Sequence, residues 1–191
     1  MYALDDTIVA ISTPVGRGGI GIVRLSGPES LAILRGLFIG DGRGTGRLAS
    51  HRLYHGHIVD PATGRRVDEV LVAYMRAPRT YTRQDVAEID CPGGPAALRE
   101  VLGLCLAAGA RPAHPGEFTL RAFLNGRIDL AQAEAVLDVI NAETGASLRV
   151  AVEQLGGRLS GRVRDVRRRL VEALANLEAS IDFPEDEIPD R

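Results

Sequence analysis

The chain has 191 residues, of which 45% are apolar and 25% charged, and its formal net charge at pH 7 is −2. These values fit one globular domain with a sizeable core, or a smaller domain with an appended segment. A nearly neutral chain has no global field that attracts nucleic acid, so an RNA contact would require a local basic patch. All 23 basic residues are arginine, which excludes lysine Schiff-base and lysine-nucleophile chemistry.

The two cysteines, Cys91 and Cys105, have neither C-x-x-C nor metal-ligand spacing. This usage predicts no disulfide framework and suits the reducing cytoplasm. The four histidines also lack a zinc spacing, so we predict no metal site. The N-terminal residues lack the pattern of a secretory signal, and no apolar run is long enough to span a bilayer. We therefore expect a cytoplasmic protein without a membrane segment.

Short β-branched runs and turn residues predict a mixed start to the chain. Thr7–Ser12 and Ile20–Leu25 have the composition of strands. Ser26, with an acidic residue three positions later, is predicted to cap a helix that continues through Leu31–Phe38. A loop rich in glycine and arginine is expected over residues 40–50.

The next segments predict a hairpin, a strand and a helix. Leu53–Val59 and Val67–Tyr74 flank D-P-A-T-G-R-R, which has the composition of a hairpin connection. Asp85–Cys91 alternates apolar and acidic residues, as a strand with one solvent-exposed face does. Ala96–Ala108 is an amphipathic helix that Gly109 is expected to end.

A tight helix–loop–helix follows. Thr119–Asn125 is predicted to be helical, and Gly126 stands where a left-handed residue ends a helix. Asp129 is the expected N-cap of the second helix, with Gln132 placed to complete a capping box. Arg127 lies on the corner between them, and two interpretations stay open. It caps a helix end, or it presents its planar fork to a carboxylate.

An eleven-residue apolar period predicts one long helix over residues 145–182, about 55 Å in length. Gly156, Gly157 and Gly161 weaken it, so a bend is expected there. Its apolar stripe requires a packing partner, and its Arg164–Arg169 cluster is interpreted as a solvated face rather than an RNA contact. The pattern as a whole predicts an α+β domain over residues 1–118 and an all-α segment over 119–191.

Three sequence features bear on chemistry. Gly16–Gly21 matches G-x-G-x-x-G, but a strand rather than a helix follows it, which argues against dinucleotide binding. Without lysine there is no P-loop, so these residues cannot hold GTP by that mechanism. Arg24 and Glu88 are charged residues within apolar strands. Burying either one unpaired would be costly, so each is expected to have a partner or to face a pocket.

Four segments, in this order, resemble the tRNA-modification GTPases known as the MnmE or TrmE family: TIVAISTPVGRGGIGIVRLSG, YTRQDVAEIDCPGGP, PGEFTLRAFLNGRIDLAQAEAV and SIDFPEDEI. The resemblance covers most of the chain. It implies an α+β N-terminal domain that dimerises and is similar to the folate-binding domains of one-carbon enzymes. A helical domain with an inserted GTPase domain would follow. We expect this chain to hold the first domain and the start of the helical domain. The GTPase domain, with its GTP, magnesium and potassium, would lie outside it.

The resemblance also implies a function. Together with the flavoprotein MnmG, the family adds a carboxymethylaminomethyl or aminomethyl-type group to C5 of the wobble uridine of tRNA. The implied cofactor is 5-formyltetrahydrofolate or a related one-carbon tetrahydrofolate. Carried over by motif, its binding residues are Arg24, Glu88 and Arg127. A carboxylate can accept two hydrogen bonds from the amide and amino edge of a reduced pterin, and arginines suit the glutamate tail or formyl oxygen. No catalytic residue is assigned.

The chain departs from the family pattern at three places. Pro92 stands where the family has histidine, and TYTRQD replaces S-Y-T-G-E-D, losing a glycine and a carboxylate. Arg127 stands where lysine is common. Two other functions stay open. One is a stand-alone folate-dependent aminomethyltransferase similar to the glycine-cleavage T-protein, and the other is a structural dimerisation module with a vestigial pocket.

Overall fold

The structure is a computed structural model that describes residues 4–14, 16, 18–41 and 48–182. The chain divides into two compact units, Met1–Arg127 and Ile128–Arg191. The strands are β1 (Ile8–Ile11), β2 (Ile20–Ser26), β3 (Phe38–Gly40), β4 (Arg52–Val59), β5 (Arg66–Met75), β6 (Val86–Pro92) and β7 (Arg111–Pro112). The helices are α1 (Ser30–Leu37), α2 (Pro95–Ala107), α3 (Glu117–Leu124), α4 (Leu130–Ile140), α5 (Gly145–Leu155) and α6 (Arg158–Asp182).

The first unit contains one mixed sheet with the strand order β3-β4-β5-β6-β2-β1-β7. Its neighbouring strands are antiparallel except for β1 and β7, which pair in parallel. The mixed unit followed by helices agrees with the predicted α+β fold class. The expected similarity to folate-binding domains stays a prediction.

One face of the sheet holds the hydrophobic core. Val23, Val72 and Ile89 alternate with outward-facing neighbours along their strands and pack with buried residues of α1 and α2. We call the other side the open face, since neither of these helices covers it. By the two-residue period of the strands, it carries Ile22 and Arg24 of β2, Leu71, Ala73 and Met75 of β5, and Glu88 and Asp90 of β6.

The predicted strands, the hairpin and the helix before Gly109 are confirmed, but the predicted cap of the first helix is wrong. Ser26 belongs to β2, where it lies opposite Val86 of β6. Its hydroxyl bonds Thr82 and Gln84 rather than a helix terminus. Strand pairing therefore takes precedence over the local capping pattern. Residues 42–47, most of the expected loop, lie outside the described residues, as do residues 183–188 of the SIDFPEDEI segment.

A buried ion network connects α3 to the start of the chain. Glu117 and Arg121, one turn apart on α3, are only 2% and 1% exposed. Both Nη atoms of Arg111 donate to Glu117, at 2.6 and 3.1 Å, and its Nε donates to Asp6 at 2.6 Å. Arg121 also donates to Asp6 and to Glu117. Paired charges and hydrogen bonds from the Nη atoms of both arginines let these side chains lie in the interior.

The network lowers two carboxyl pKa values. Burial alone would raise the pKa of Asp6 and of Glu117, but hydrogen bonds from Arg111 and Arg121 outweigh burial in both cases. These contacts hold α3 within the first unit, which continues to Arg127. The domain boundary expected after residue 118 falls inside α3.

The second unit is helical, as predicted. Asp129 accepts from the backbone N–H of Gln132, and the Gln132 side chain accepts from Asp129, which confirms the capping box. The prediction of one helix over residues 145–182 is wrong. Gly156 and Gly157 separate α5 from α6, and Gly157 has φ of +85°. A left-handed residue ends a helix rather than bending it.

The apolar stripe of α6 is exposed in this unit. Each of its members is at least half exposed: Leu159, Val163, Val166, Leu170, Leu174, Leu177 and Ile181. The arginines of the Arg164–Arg169 cluster are also exposed, and Arg168 pairs with Asp165 and Glu172 on its own helix. Within the described part of the chain, no helix has the length and apolarity needed to cross a membrane.

Candidate functional site

Arg24 and Glu88 form an ion pair on the open face. They lie directly opposite each other on β2 and β6, and Nε of Arg24 donates to Oε1 of Glu88 at 2.7 Å. Their side chains are 31% and 24% exposed, so the pair is partly shielded yet reachable by a ligand. Each charged strand residue was predicted to have a partner or to face a pocket, and the first of these alternatives is confirmed.

Arg127 packs on Tyr81 rather than on a carboxylate. Its guanidinium carbon lies 4.9 Å from the centre of the Tyr81 ring, and Nη1 donates to the Tyr81 carbonyl at 3.0 Å. Gly126, with φ of +69°, ends α3 as predicted and turns the chain toward this position. Of the two interpretations, the helix cap does not describe this geometry, whereas a carboxylate partner stays a prediction. A stacked guanidinium keeps further N–H donors for a ligand.

The structure pairs Arg24 with Glu88 but does not bring Arg127 into direct bonding with them. Among the described residues, Arg127 makes no hydrogen bond or ion pair with either one. A chain of contacts connects the two places. The guanidinium carbon of Arg24 lies 5.9 Å from the ring centre of Phe118. The hydroxyl of the next residue, Thr119, is 2.9 Å from the hydroxyl of Tyr81, and Arg127 stacks on the ring of that tyrosine. Phe118 and Thr119 of α3 thus contact Arg24 and the tyrosine that holds Arg127, respectively.

Two cavities are lined in part by β5, the strand that pairs with β6 at Glu88, although neither Arg24 nor Glu88 lines them. The first, which we call the arginine cavity, is about 460 Å³ and is lined by Met75, Pro78, Arg79, Thr80, Tyr81, Arg83 and Arg127. The second, which we call the Asp90 cavity, is about 350 Å³ and is lined by Gly19, Ile20, His55, Glu69, Val70, Leu71, Asp90, Cys91 and Pro92.

Strand register places Glu88 between these cavities. Ala73 of β5 lies opposite Glu88, and Met75 and Leu71 are two residues from Ala73 in the two directions along the strand. Met75 lines the arginine cavity, and Leu71 lines the Asp90 cavity. Two residues of strand span about 7 Å, so one lining residue of each cavity lies about that far along β5 from the register partner of Glu88.

Asp90 is the unsatisfied polar group of this face. Its Oδ1 is buried and has no hydrogen-bond partner among the described residues. Burial raises the pKa of Asp90, and the nearby negative charge of Glu88 raises it further. A buried carboxyl oxygen without a partner is costly, and a polar ligand in the Asp90 cavity would satisfy it.

The positions that depart from the family pattern have distinct structural roles. Arg83, in place of the usual glycine, has φ of +58°, a left-handed conformation that favours glycine. Gln84, in place of the usual glutamate, still accepts a hydrogen bond from Arg121 at 3.1 Å. Pro92, in place of the usual histidine, lines the Asp90 cavity but has no side-chain hydrogen-bonding group.

Glycines in the loop before β2 and at the end of β6 allow two backbone segments to meet. The Gly18 N–H donates to the Gly93 carbonyl at 3.2 Å, and a Cβ on Gly93 would collide with the backbone of Gly18. The close approach fixes the loop before β2 against the end of β6, beside the Asp90 cavity.

The cysteines and histidines of the described residues were considered for thiol and metal chemistry. Burial raises the pKa of Cys91 and of Cys105 to about 12, so both thiols stay protonated at neutral pH. His55 bonds Glu69 and Asp41, and these contacts raise its pKa. Across the described ranges, no cluster of three or more His, Cys, Asp or Glu side chains is arranged to hold a metal ion.

Sequence reasoning missed Tyr81, Phe118, Arg83 and Asp90. Tyr81 and Phe118 are adjacent to recognisable segments, yet only the folded chain shows that each contacts an arginine of the site. The alternation of β6 placed Asp90 on the same face as Glu88 and was the available signal for it.

The chain consists of an α+β unit, which carries the charged pair on its open sheet face, and a helical unit. Its sequence matches the models of two protein families. The pattern described as "GTP-binding protein TrmE N-terminus" matches residues 7–127, and the pattern "MnmE helical domain" matches residues 130–191. The chain belongs to the MnmE (TrmE) family of tRNA modification GTPases. The two matched ranges agree with the two compact units.

Individual relatives agree with this assignment. The chain is 58% identical over 181 residues to the tRNA modification GTPase MnmE of Syntrophobacter fumaroxidans, covering 95% of this chain and 38% of the relative. It is 56% identical over 188 residues to that of Heliobacterium modesticaldum, covering 98% and 40%. The protein of Levilactobacillus brevis is 54% identical over 180 residues, covering 94% and 38%. The chain therefore spans about two fifths of the length of these curated relatives.

Proposed function

We propose that this chain is the folate-binding and dimerisation part of a tRNA modification GTPase, with Arg24, Glu88 and Arg127 as the residues that bind a one-carbon tetrahydrofolate. The observation that carries the proposal is the Arg24–Glu88 pair, which lies partly shielded on the open face. Met75 and Leu71, each two residues along β5 from the register partner of Glu88, line one cavity each. The ligand of this proposal is 5-formyltetrahydrofolate or a close relative.

The pair supplies a carboxylate of fixed orientation. Arg24 holds Oε1 of Glu88, and the remaining lone pairs of the carboxylate are available to the N–H donors of a reduced pterin. Phe118, above Arg24, adds an aromatic surface beside the pair. Arg127, held by its stack on Tyr81, offers N–H donors to a negatively charged or carbonyl group elsewhere on the ligand.

The remaining functions belong to the whole protein. The relatives are named tRNA modification GTPases, and on that basis we propose GTP hydrolysis for the full-length protein, with GTP, magnesium and potassium bound outside these 191 residues. The proposed partners are tRNA and the flavoprotein MnmG, and the proposed product carries an aminomethyl-type group on C5 of the wobble uridine. The proposed location is the cytoplasm.

The open face also supports the proposed homodimer. Its surface carries large apolar side chains that are 39% to 63% exposed: Ile20, Ile39, Leu53 and Leu71. Such exposed apolar groups on one face of a sheet are typical of an interaction surface. A second copy of the same chain, related by a twofold axis, would cover them and shield the folate site from water.

Titration calorimetry with 5-formyltetrahydrofolate tests the folate site. We expect Glu88→Ala to weaken binding by about 1–3 kcal/mol, because a pair of hydrogen bonds to a charged acceptor is lost. Glu100→Ala is the matched control, since Glu100 lies on α2 and forms an exposed ion pair with Arg65. Equal affinities of Glu88→Ala and the wild type would remove Glu88 from the site. A dimer that binds no folate would favour the structural module.

A further inference from the structure

The arginine cavity has a lining that is cationic and lacks acidic residues. Arg79, Arg83 and Arg127 contribute guanidinium groups, and the other lining residues are uncharged. Across the described ranges, none of the three groups has a carboxylate partner. Arg83 donates one N–H to the Asn125 carbonyl at 3.1 Å, and Arg127 donates one to the Tyr81 carbonyl. Each guanidinium has five N–H donors, so most of them are available to an anion.

The position of the cavity relates it to Glu88. Met75, which lines the cavity, lies on the open face two residues from Ala73, the register partner of Glu88. Arg127 lines the same cavity and is fixed by Tyr81. Met75 is thus the residue by which strand register relates this cavity to Glu88, about 7 Å along β5 from the partner of Glu88.

Arg83 stands at a position where the backbone favours glycine. Its φ of +58° is uncommon for a residue with a side chain, and the segment resembles one in which the family has glycine. Backbone strain at the wall of a cavity is a reason to look for a function of the strained residue. Here the side chain that accompanies the strain adds one guanidinium to the cavity.

We propose that the arginine cavity binds the carboxylates of the γ-linked glutamate tail of a polyglutamylated folate, an inference that rests on the folate binding proposed above. A monoglutamyl folate has two tail carboxylates, and each further γ-glutamyl residue adds one. Three guanidinium groups without acidic neighbours match a tail longer than one residue. Arginine suits this task because its planar fork donates two hydrogen bonds to one carboxylate.

An RNA phosphate is the other anion that three arginines would bind. The folate tail is favoured because Arg127 belongs both to this cavity and to the proposed folate site, and because the cavity lies on the same sheet face as Glu88. The arginine cluster on α6 lies on a different unit and takes no part in the cavity.

The test compares monoglutamyl and triglutamyl 5-formyltetrahydrofolate by titration calorimetry with the 191-residue chain. We expect the triglutamyl form to bind about tenfold more tightly at low salt, as modest contributions from exposed charge pairs allow, and the advantage to shrink as salt is added.

Arg83→Gly and Arg79→Gln should each reduce the advantage of the triglutamyl form. Arg83→Gly suits the left-handed backbone, so it removes the guanidinium without adding strain. Arg76→Gln is the matched control, because Arg76 is an exposed arginine of the same segment that does not line the cavity, and it should keep the full advantage.

The outcomes separate this inference from the proposed function. Equal affinities for the two folates would overturn the tail subsite while leaving the folate site in place. Failure of both folates to bind would overturn the folate site and the inference together. Loss of binding to a tRNA sample in Arg83→Gly, with an unchanged ratio between the two folates, would overturn the inference and assign the cavity to RNA phosphates.

Discussion

Arg24 and Glu88 were recognised as candidate site residues because charged side chains are unusual within apolar strands. A charged side chain within a strand is costly unless it is paired, and the cross-strand register of β2 and β6 supplies the partner directly. Sequence predicted that each residue needed a partner. It could not identify that partner, because 64 positions separate the two residues along the chain.

Arg127 and Arg83 show where residue-level prediction fails. A corner between helices left the contacts of Arg127 open, and its actual partner, Tyr81, lies 46 positions earlier. The left-handed conformation of Arg83 had no signal of its own, because arginine does not mark such a position as glycine or asparagine does.

The backbone strain at Arg83 gives a stability prediction. Arg83→Gly and Arg83→Ala both remove the guanidinium, but only alanine keeps a Cβ in the left-handed conformation. We expect the glycine variant to have a free energy of unfolding about 1 kcal/mol higher than the alanine variant, despite the greater chain entropy of glycine. Urea unfolding measures the difference. A more stable alanine variant would show that the position is not strained.

Several elements follow from local sequence. Period-two alternation predicted β6, turn composition predicted the β4–β5 hairpin, and Asp129 with Gln132 predicted the start of α4. These predictions succeeded because each signal lies within the element that it specifies. Ser26 carried a similar capping signal, but pairing with β6 gave its backbone another role.

The ion network of α3 could not be predicted in this way. Arg121 and Asp6 are 115 positions apart, and Arg111 and Asp6 are 105 apart. Long-range contacts of this kind depend on the complete topology of the sheet. The network explains why α3, which carries Phe118 and leads to Arg127, stays fixed in the first unit.

The network predicts a large effect of one substitution. Glu117→Gln keeps the shape of the side chain but leaves Arg121, at 1% exposure, with one fewer counter-charge. We expect a loss of about 3 kcal/mol in the free energy of unfolding, because breaking a buried ion pair leaves an uncompensated charge. Urea unfolding at pH 7 measures it. Glu100→Gln, at an exposed pair, is the control and should change stability by less than about 1 kcal/mol.

The dependence of stability on acidic pH provides a second test of the ion network of α3. The native pKa values of Asp6 and Glu117 lie below their ordinary values of 3.8 and 4.5, so the native state binds protons less readily than the unfolded state. Their stabilising contribution is complete above these ordinary values and is lost as the pH falls through the lowered native values. Glu117→Gln should therefore lose less stability in acid than the wild type. Identical pH profiles would contradict the network.

At the scale of the whole molecule, the two units leave different surfaces exposed. The open face of the first unit combines the charged pair, two cavities and exposed apolar side chains. The second unit exposes the apolar stripe of α6. The apolar period predicted the stripe, but it could not predict that Gly156 and Gly157 would divide the helix, since glycine bends some helices and ends others.

The exposed apolar set predicts how copies of the chain associate. Leu53, 63% exposed, lies on the same face as Leu71, and Arg52 points to the other side of β4. We expect a dimer for the wild type in sedimentation velocity and a monomer for Leu53→Asp, because burial of a charge at the interface opposes association. Arg52→Asp should remain a dimer. A dimeric Leu53→Asp would place the interface elsewhere.

The most direct test of the folate site is a crystal structure of the chain with 5-formyltetrahydrofolate bound. The account predicts the pterin ring on the open face, its N–H edge within hydrogen-bond distance of the Glu88 carboxylate, and its glutamate directed toward Arg127. A pterin ring bound away from Glu88, with the Arg24–Glu88 pair facing only solvent, would contradict it.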